Sequence, residues 1–136
     1  MNFQKTNILW GWIVWLIASV VFVMTIEPTA SFWDCGEFIA SANGLEVGHP
    51  PGAPFWMLLA RFAIILSPVG MEAYAVNVLS ALSSSFTILF LFWSVTHMAK
   101  KFSDQSGELT KGRLIAIMMS GAVGALLADG SLISQA

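Results

Sequence analysis

The residues from Ile8 to Ile26 form a run of 19 without a charged side chain. At about 1.5 Å per residue, a helix of this length crosses a hydrocarbon core about 30 Å thick. Composition agrees, because 57% of the 136 residues are hydrophobic and 10% are charged, whereas soluble domains have roughly 25% charged residues. The sequence therefore predicts an all-α membrane protein with about three transmembrane helices.

Composition also excludes several classes of protein. Disorder requires low hydrophobicity and nucleic-acid binding requires a basic surface, whereas the net charge here is −2. Cys35 is the single cysteine and forms no internal disulfide. A cleavable signal peptide is the competing interpretation of the first run, but its apolar core is usually 7 to 15 residues. The first run is longer, so a retained span is favoured.

Two further apolar stretches follow. Residues 73–99 are long enough to span, and residues 114–136 form a partial third span. The chain is therefore expected to be the N-terminal part of a longer polytopic domain. The phenylalanines in and just after residues 73–99 are interpreted as lipid-facing: Phe86, Phe90, Phe92 and Phe102.

The segment from Pro54 to Pro68 is apolar but short, and it carries Arg61. If it spanned, the basic residues of loop 100–113 would lie opposite Lys5. If it lies flat, all of these basic residues share the cytoplasmic side, which the positive-inside rule favours. The sequence thus predicts one long external loop, 27–72, between the first two spans.

This loop is predicted to contain a short amphipathic helix. At about 100° per residue, one arc is apolar: Phe32, Cys35, Phe38, Ile39, Ala42 and Leu45. The neighbouring arc carries Asp34, Glu37 and Ser41, and small residues form a third stripe: Gly36, Ala40 and Gly44. Ser31 is the predicted N-cap, Asp34 takes the capping-box position, and Gly44 is the predicted stop.

Asp34 and Glu37 are the first candidates for chemistry. Carboxylates at i and i+3 are neighbours on a helix and repel unless a cation, a proton or a positive substrate lies between them. The pair could hold a divalent cation against a phosphate, or act as general base towards a hydroxyl. The alternative is an exposed acidic edge with Asp34 as a helix cap.

Two other polar residues stand out. His49 precedes Pro50 and Pro51 in a rigid turn, where it could bind phosphate or relay a proton, or simply belong to the turn. Arg61 lies among apolar residues, where it either snorkels to lipid headgroups or meets an anion. Walker loops, dinucleotide fingerprints and nucleophile elbows are absent from the sequence.

Two stretches carry a family resemblance: SFWDCGEFIA at 31–40 and LEVGHPPGAP at 45–54. They resemble a family of large bacterial membrane proteins with a domain of unknown function, which is related to the eukaryotic O-mannosyltransferase called transmembrane protein 260. That family looks like a branch of the GT-C glycosyltransferases, in which an acidic residue of the first external loop is essential for transfer from a polyprenyl-phosphate sugar. The resemblance implies that Asp34 is the catalytic acid or base.

By the same resemblance, Glu37 assists Asp34, while His49, Pro50 and Pro51 shape the donor-phosphate or acceptor site. The implied protein is a glycosyltransferase of the bacterial inner membrane that moves a sugar from a polyprenyl-phosphate donor to a protein or glycan hydroxyl. The alternative is a non-catalytic membrane subunit that binds lipid or a partner helix through the small-residue stripe. A transporter fragment is disfavoured because neither long span carries a deep ionisable residue.

Overall fold

The computed structural model describes residues 3–30, 34–48, 53–104 and 110–133. Within these ranges every regular element of secondary structure is a helix, as the sequence predicts. The helices are α1 (Phe3–Met24), α2 (Cys35–Gly44), α3 (Pro54–Leu66), α4 (Glu72–Asp104) and α5 (Lys111–Ile133).

Two of the helices, α1 and the Glu72–Ser103 part of α4, have the length and apolarity of membrane spans. Only 22% and 33% of their most apolar windows are buried inside the protein. A core helix of a soluble protein would be mostly buried, so these low fractions indicate helices whose surroundings are lipid. The short helix α3 has 13 residues and extends for about 20 Å, less than a hydrocarbon core.

The helix ends differ from those predicted. Helix α1 begins five residues before the predicted span at Ile8. Helix α4 continues through Lys100 and Lys101 to Asp104, so these lysines are helical rather than part of a loop. The physical reason is that lysine has high helix propensity and is favoured near the negative end of a helix. The side of the membrane on which they lie stays a prediction.

The chain divides into two compact units. The helical unit comprises 1–21 and 84–136, and the loop unit comprises 22–83. The division falls within α1 and α4, so each of these helices contributes to both units.

In the helical unit, aromatic and small residues pack together. Gly11 lies so close to the Trp93 indole that a Cβ on it would overlap the ring nitrogen. The Trp12 and Trp93 rings meet edge to face at 6.2 Å, and the Trp15 and Phe86 centroids are 5.2 Å apart. These aromatic contacts therefore hold α1 against α4.

The contact of α4 with α5 corrects one expectation. Phe92 was expected to face lipid, but it is fully buried, as is Thr96. The reason is Gly121 on α5, whose missing side chain leaves room for these two residues. The other three phenylalanines are exposed, as predicted: Phe86, Phe90 and Phe102.

In the loop unit, α2 packs against α3. Their buried side chains form a small core with the first part of α4: Ala42, Met57, Ala60, Ile64 and Val76. The outer face of α3 remains apolar and exposed: Phe55, Leu58, Phe62, Ile65 and Leu66. Transfer of each such side chain from water into lipid is worth roughly 1.5–3 kcal/mol, so this face favours the predicted interfacial position of α3.

Candidate functional site

The acidic pair lies at the start of α2. Asp34 occupies the N-cap position with φ −71° and ψ −5°, and its carbonyl accepts a hydrogen bond from the Phe38 N–H at 3.0 Å. Its carboxylate makes no capping hydrogen bond. The predicted N-cap was Ser31, which lies outside the described residues. The described helix begins at Cys35, and Asp34 does not serve as a side-chain cap.

Both carboxylates of the pair are accessible. Asp34 and Glu37 are exposed, and Glu37 lies in the first turn of α2. The opposite arc is committed to packing, because Ala42 is fully buried and Phe38 and Ile39 pack against the same core. Helix α2 is thus held by its apolar arc, and its acidic edge faces outward. Of the other predicted apolar positions, Cys35 and Leu45 are exposed.

The small-residue stripe has no helix packed along it within the described part of the chain. A Cβ on Gly36 would lie 3.8 Å from the Ala30 Cβ, while Ala40 and Gly44 are exposed. The helix that does pack on α2 uses the apolar arc instead. Partner binding through this stripe stays a prediction.

The segment after α2 returns to the acidic pair. A Cβ on Gly48 would lie 3.5 Å from Glu37 Oε1, 3.9 Å from Ser41 Oγ and 4.0 Å from Met57 Cε. Gly48, the residue that precedes the His-Pro-Pro motif in the sequence, therefore lies beside the Glu37 carboxylate. His49, Pro50 and Pro51 themselves lie outside the described residues, so their predicted roles stay predictions.

The turn out of α2 is made by a left-handed residue that is not glycine. Helix α2 ends at Gly44 as predicted, but Leu45 takes φ 53° and ψ 41°. The Glu46 N–H donates to the Ser41 carbonyl at 2.9 Å and closes the helix end. Non-glycine residues rarely adopt this conformation, because it costs about 1–2 kcal/mol. The residues that do adopt it are found more often at functional sites than elsewhere.

An apolar groove of about 380 Å³ adjoins this turn. Leu45, Glu46, Val47 and Gly48 line one side of it, and Met57 and Leu58 of α3 line the other, so its surface is mostly apolar with one carboxylate. Val47 is 98% exposed. Gly48 lines the groove and also lies beside the Glu37 carboxylate. The groove and the acidic pair are therefore neighbours.

Arg61 has a partner within the protein. Its Nη1 donates to the Asn43 backbone carbonyl and, at 2.9 Å, to Asn43 Oδ1. A cation at this position satisfies the last carbonyls of α2 and complements the negative end of its dipole. Neither snorkelling nor anion binding anticipates this contact, which ties α3 to the end of the helix that carries the acidic pair.

Asn77 was missed by the sequence interpretation. From α4, its Nδ2 donates to the carbonyl of Glu27 at 2.8 Å and to that of Thr29 at 3.0 Å. These bonds fix the segment that leads into α2. The available signal was an amide within an apolar segment, because a buried or lipid-facing amide requires hydrogen-bond partners.

In the part of the chain that the structure describes, no third metal-ligating side chain joins Asp34 and Glu37. The described residues contain no group of three or more His, Cys, Asp and Glu side chains that could hold an ion. Asp34 and Glu37 offer two carboxylate ligands of the type that Mg²⁺ prefers.

Comparisons with known proteins identify the family to which the chain belongs. A model of the family described as "Protein O-mannosyl-transferase TMEM260 N-terminal domain" matches residues 34–131. Mouse Protein O-mannosyl-transferase TMEM260 is 37% identical over 99 residues, which cover 73% of this chain and 14% of the mouse protein. The matched range begins at Asp34 and includes every other predicted site residue: Glu37, His49, Pro50, Pro51 and Arg61.

Two relatives of lower sequence identity also match; one of them has the same name as the mouse protein and the other has a different name. Protein O-mannosyl-transferase tmem260 of Dictyostelium discoideum is 28% identical over 94 residues, covering 68% of this chain and 12% of that protein. A Phospho-N-acetylmuramoyl-pentapeptide-transferase of Porphyromonas gingivalis is 27% identical over 123 residues, covering 83% of this chain and 27% of its own length. No solved structure matches the chain. The chain thus spans less than a third of the length of each of these relatives.

Proposed function

The chain belongs to the family of the TMEM260 protein O-mannosyl-transferase N-terminal domain, and from this we propose that it supplies the acidic site of a membrane glycosyltransferase. The proposed donor is a lipid-linked sugar. The proposed acceptor is a hydroxyl group, and we favour the hydroxyl of a protein serine or threonine. Because the chain corresponds to 14% of the mouse relative, the complete reaction is proposed for the protein with the further spans that enclose both substrates.

The observation that supports this proposal most strongly is the placement of Glu37 beside Gly48. It joins the acidic motif to the start of the His-Pro-Pro motif, although eleven positions separate the two residues in the sequence. Both carboxylates of the pair are exposed on a helix that is held by its opposite face and by Arg61. A substrate can therefore reach them without any change in the packing of α2.

In the proposed reaction, an Asp34 carboxylate oxygen accepts the proton of the acceptor hydroxyl. The hydroxyl oxygen attacks the anomeric carbon as the bond from that carbon to the donor phosphate breaks, and the configuration inverts. Glu37 holds the acceptor or shares its proton, and a cationic group stabilises the leaving phosphate. Such a base typically contributes a factor of about 10² to 10⁴ in rate.

The proposed donor is a polyprenyl-phosphate sugar. The mostly apolar groove beside Gly48 suits an isoprenoid chain. We propose that His49, Pro50 and Pro51 shape the site of its phosphate, as the family resemblance implies. Arg61 is the single basic residue in the sequence of the loop unit, and we propose that it contacts the same phosphate. A divalent cation between the two carboxylates remains an alternative way of binding it.

The proposed location is the bacterial inner membrane, with several passes and with loop 27–72 on the outer side. This orientation rests on the grouping of Lys5 with Lys100, Lys101, Lys111 and Arg113. It places the acidic pair where a lipid-linked sugar meets an exported acceptor.

The test measures transfer of mannose from a polyprenyl phosphate to a serine or threonine peptide by membranes that contain the protein. We expect Asp34→Asn to lower the rate by about 10² to 10⁴, since Asn keeps the shape of the side chain but cannot accept the proton. Membrane content of the variant should match wild type, because Asn keeps the size of the side chain and its hydrogen-bonding ability at an exposed position.

The matched control is Glu27→Gln, which removes another exposed carboxylate of the same loop and leaves the lining of the groove unchanged. Its rate should stay within twofold of wild type. Equal transfer by Asp34→Asn and wild type, at equal protein content, would refute the assignment of Asp34. Equal losses in Asp34→Asn and Glu27→Gln would mean that only the total charge of the loop matters.

A further inference from the structure

A second cavity lies in the helical unit, between the first turns of α1 and the last third of α4. Its volume is about 490 Å³. Phe3, Ile8 and Trp93 give it apolar and aromatic walls, and Gln4, Asn7, His97 and Lys100 line it with polar groups. None of these seven lining residues is acidic. The cavity therefore combines an apolar interior with hydrogen-bond donors and a cation.

The cation is held at the cavity. Lys100 Nζ lies 4.8 Å from the centroid of the Phe3 ring. A cation over an aromatic face is attracted to it by roughly 0.5–1 kcal/mol at an exposed site. Lys100 is half-buried, in contrast to Lys101, which is exposed and does not line the cavity. The contact with Phe3 thus holds Lys100, and not Lys101, at the cavity.

The position of the cavity along the helices suits a lipid headgroup. Ile8 is the first residue of the long uncharged run, and Lys100 is the first charged residue after the apolar stretch that begins at 73. The cavity therefore lies at the level where both apolar segments end, which is the interface between hydrocarbon and water. At this level a ligand encounters apolar walls on one side and cations on the other.

The surroundings favour an anion. Five of the six basic residues belong to this unit: Lys5, Lys100, Lys101, Lys111 and Arg113. The acidic residues of 100–113 are Asp104 and Glu108. Basic pockets between membrane helices are typical sites for anionic lipid headgroups.

We propose that this cavity binds an anionic glycerophospholipid of the surrounding leaflet. Lys100 contacts the phosphate and His97 donates a hydrogen bond to it, which an imidazole can do in either protonation state. The amides of Gln4 and Asn7 surround the polar head, and Ile8 and Trp93 contact the first carbons of the acyl chains. The site is independent of the proposed sugar transfer.

The test titrates the purified full chain in dodecyl maltoside with dioctanoyl phosphatidylglycerol and counts bound lipid by native mass spectrometry. Dioctanoyl phosphatidylcholine is the comparison lipid. We expect Lys100→Gln to weaken phosphatidylglycerol binding by about fivefold. Lys101→Gln removes the same charge one residue away and should change the affinity by less than twofold. Lys100→Arg should restore most of the binding.

His97→Gln and inorganic phosphate complete the test. His97→Gln should weaken binding less than Lys100→Gln, because a hydrogen bond is lost without the lysine charge. Inorganic phosphate at 1 mM, about a thousandfold molar excess over micromolar protein, should not displace the lipid, since the apolar walls contribute to binding. Equal effects of Lys100→Gln and Lys101→Gln, equal binding of the two lipids, or displacement by phosphate would each overturn the proposal.

Discussion

The helical unit and the loop unit use their polar side chains differently. In the helical unit, hydroxyls donate to carbonyls of their own helix: Ser94 to Phe90 at 2.8 Å and Thr96 to Phe92 at 2.9 Å. Across helices, packing depends on shape, with glycine facing aromatic rings, although the Trp93 indole also donates to the Asn7 carbonyl at 3.4 Å. Lipid-exposed helices are commonly joined by such small-residue packing.

In the loop unit, hydroxyls also bind carbonyls of their own helix, such as Ser83 to Leu79 at 2.8 Å, but two other side chains bind distant backbone. Asn77 reaches residues 48 and 50 positions away, and Arg61 reaches one 18 positions away. A few such bonds fix the loop that carries the acidic pair. The comparison teaches that close packing joins the helices of the helical unit, whereas a small number of long-range hydrogen bonds hold the candidate site.

The largest expected effect on stability concerns shape in the helical unit. A Cβ on Gly121 would overlap Thr96 Cγ2 and lie 3.2 Å from two ring carbons of Phe92. Both neighbours are fully buried, so neither has room to move. We expect Gly121→Ala to lower the free energy of unfolding in detergent by about 3 kcal/mol.

Gly124 on the same helix supplies the control. Nothing lies within 4 Å of a Cβ placed there, so Gly124→Ala should leave stability unchanged or raise it by up to about 1 kcal/mol. Similar losses in both variants would show that helix flexibility, rather than close packing, requires these glycines.

The next effect contrasts polar bonds of the two units. Asn77→Ala leaves two backbone carbonyls without their donor, and we expect a loss of about 2 kcal/mol. Faster amide exchange should follow at 25–30, measured by hydrogen–deuterium exchange. Ser94→Ala, also on α4, removes only a bond within one turn and should cost less than about 0.5 kcal/mol. Equal changes would erase the proposed distinction between the units.

The smallest effect separates two roles of Arg61. Arg61→Leu and Asn43→Ala both break the Nη1–Oδ1 bond at the end of α2. If the guanidinium also meets the donor phosphate, as proposed, Arg61→Leu should raise the KM for the lipid-linked donor about tenfold more than Asn43→Ala, which corresponds to about 1.4 kcal/mol. Equal KM values in the two variants would assign Arg61 to positioning α2 alone.

The sequence was informative wherever a pattern is local. The uncharged run predicted α1 as a span, and the 100° periodicity correctly predicted that Phe38, Ile39 and Ala42 pack while Asp34 and Glu37 stay exposed. The periodicity was wrong for three positions of α2 and its end: Cys35 and Leu45 are exposed, and Ser41 is buried. Helix ends were less predictable, because Lys100 and Lys101 indicate the end of an apolar segment without ending a helix. Before α2, Ser31 and Asp34 are both good N-cap residues, and side-chain composition does not choose between them.

Contacts between distant residues could not be read from any pattern. The hydrogen bonds of Asn77 and Arg61, and the return of Gly48 to Glu37, depend on how the chain folds back on itself. Phe92 shows the same limit in the helical unit, since its burial depends on the absence of a side chain at Gly121, 29 positions later. The residues of the candidate site could be chosen from the sequence, but the contacts that position them required the structure.

The anomeric configuration of the transferred sugar tests the central claim most directly, which is that Asp34 acts as base for a single direct attack by the acceptor. Membranes containing the protein would be supplied with a mannosyl polyprenyl phosphate of known configuration, and the glycopeptide product would be characterised by NMR. We predict inversion relative to the donor. Retention of configuration, or a sugar trapped covalently on Asp34 or Glu37, would contradict the account.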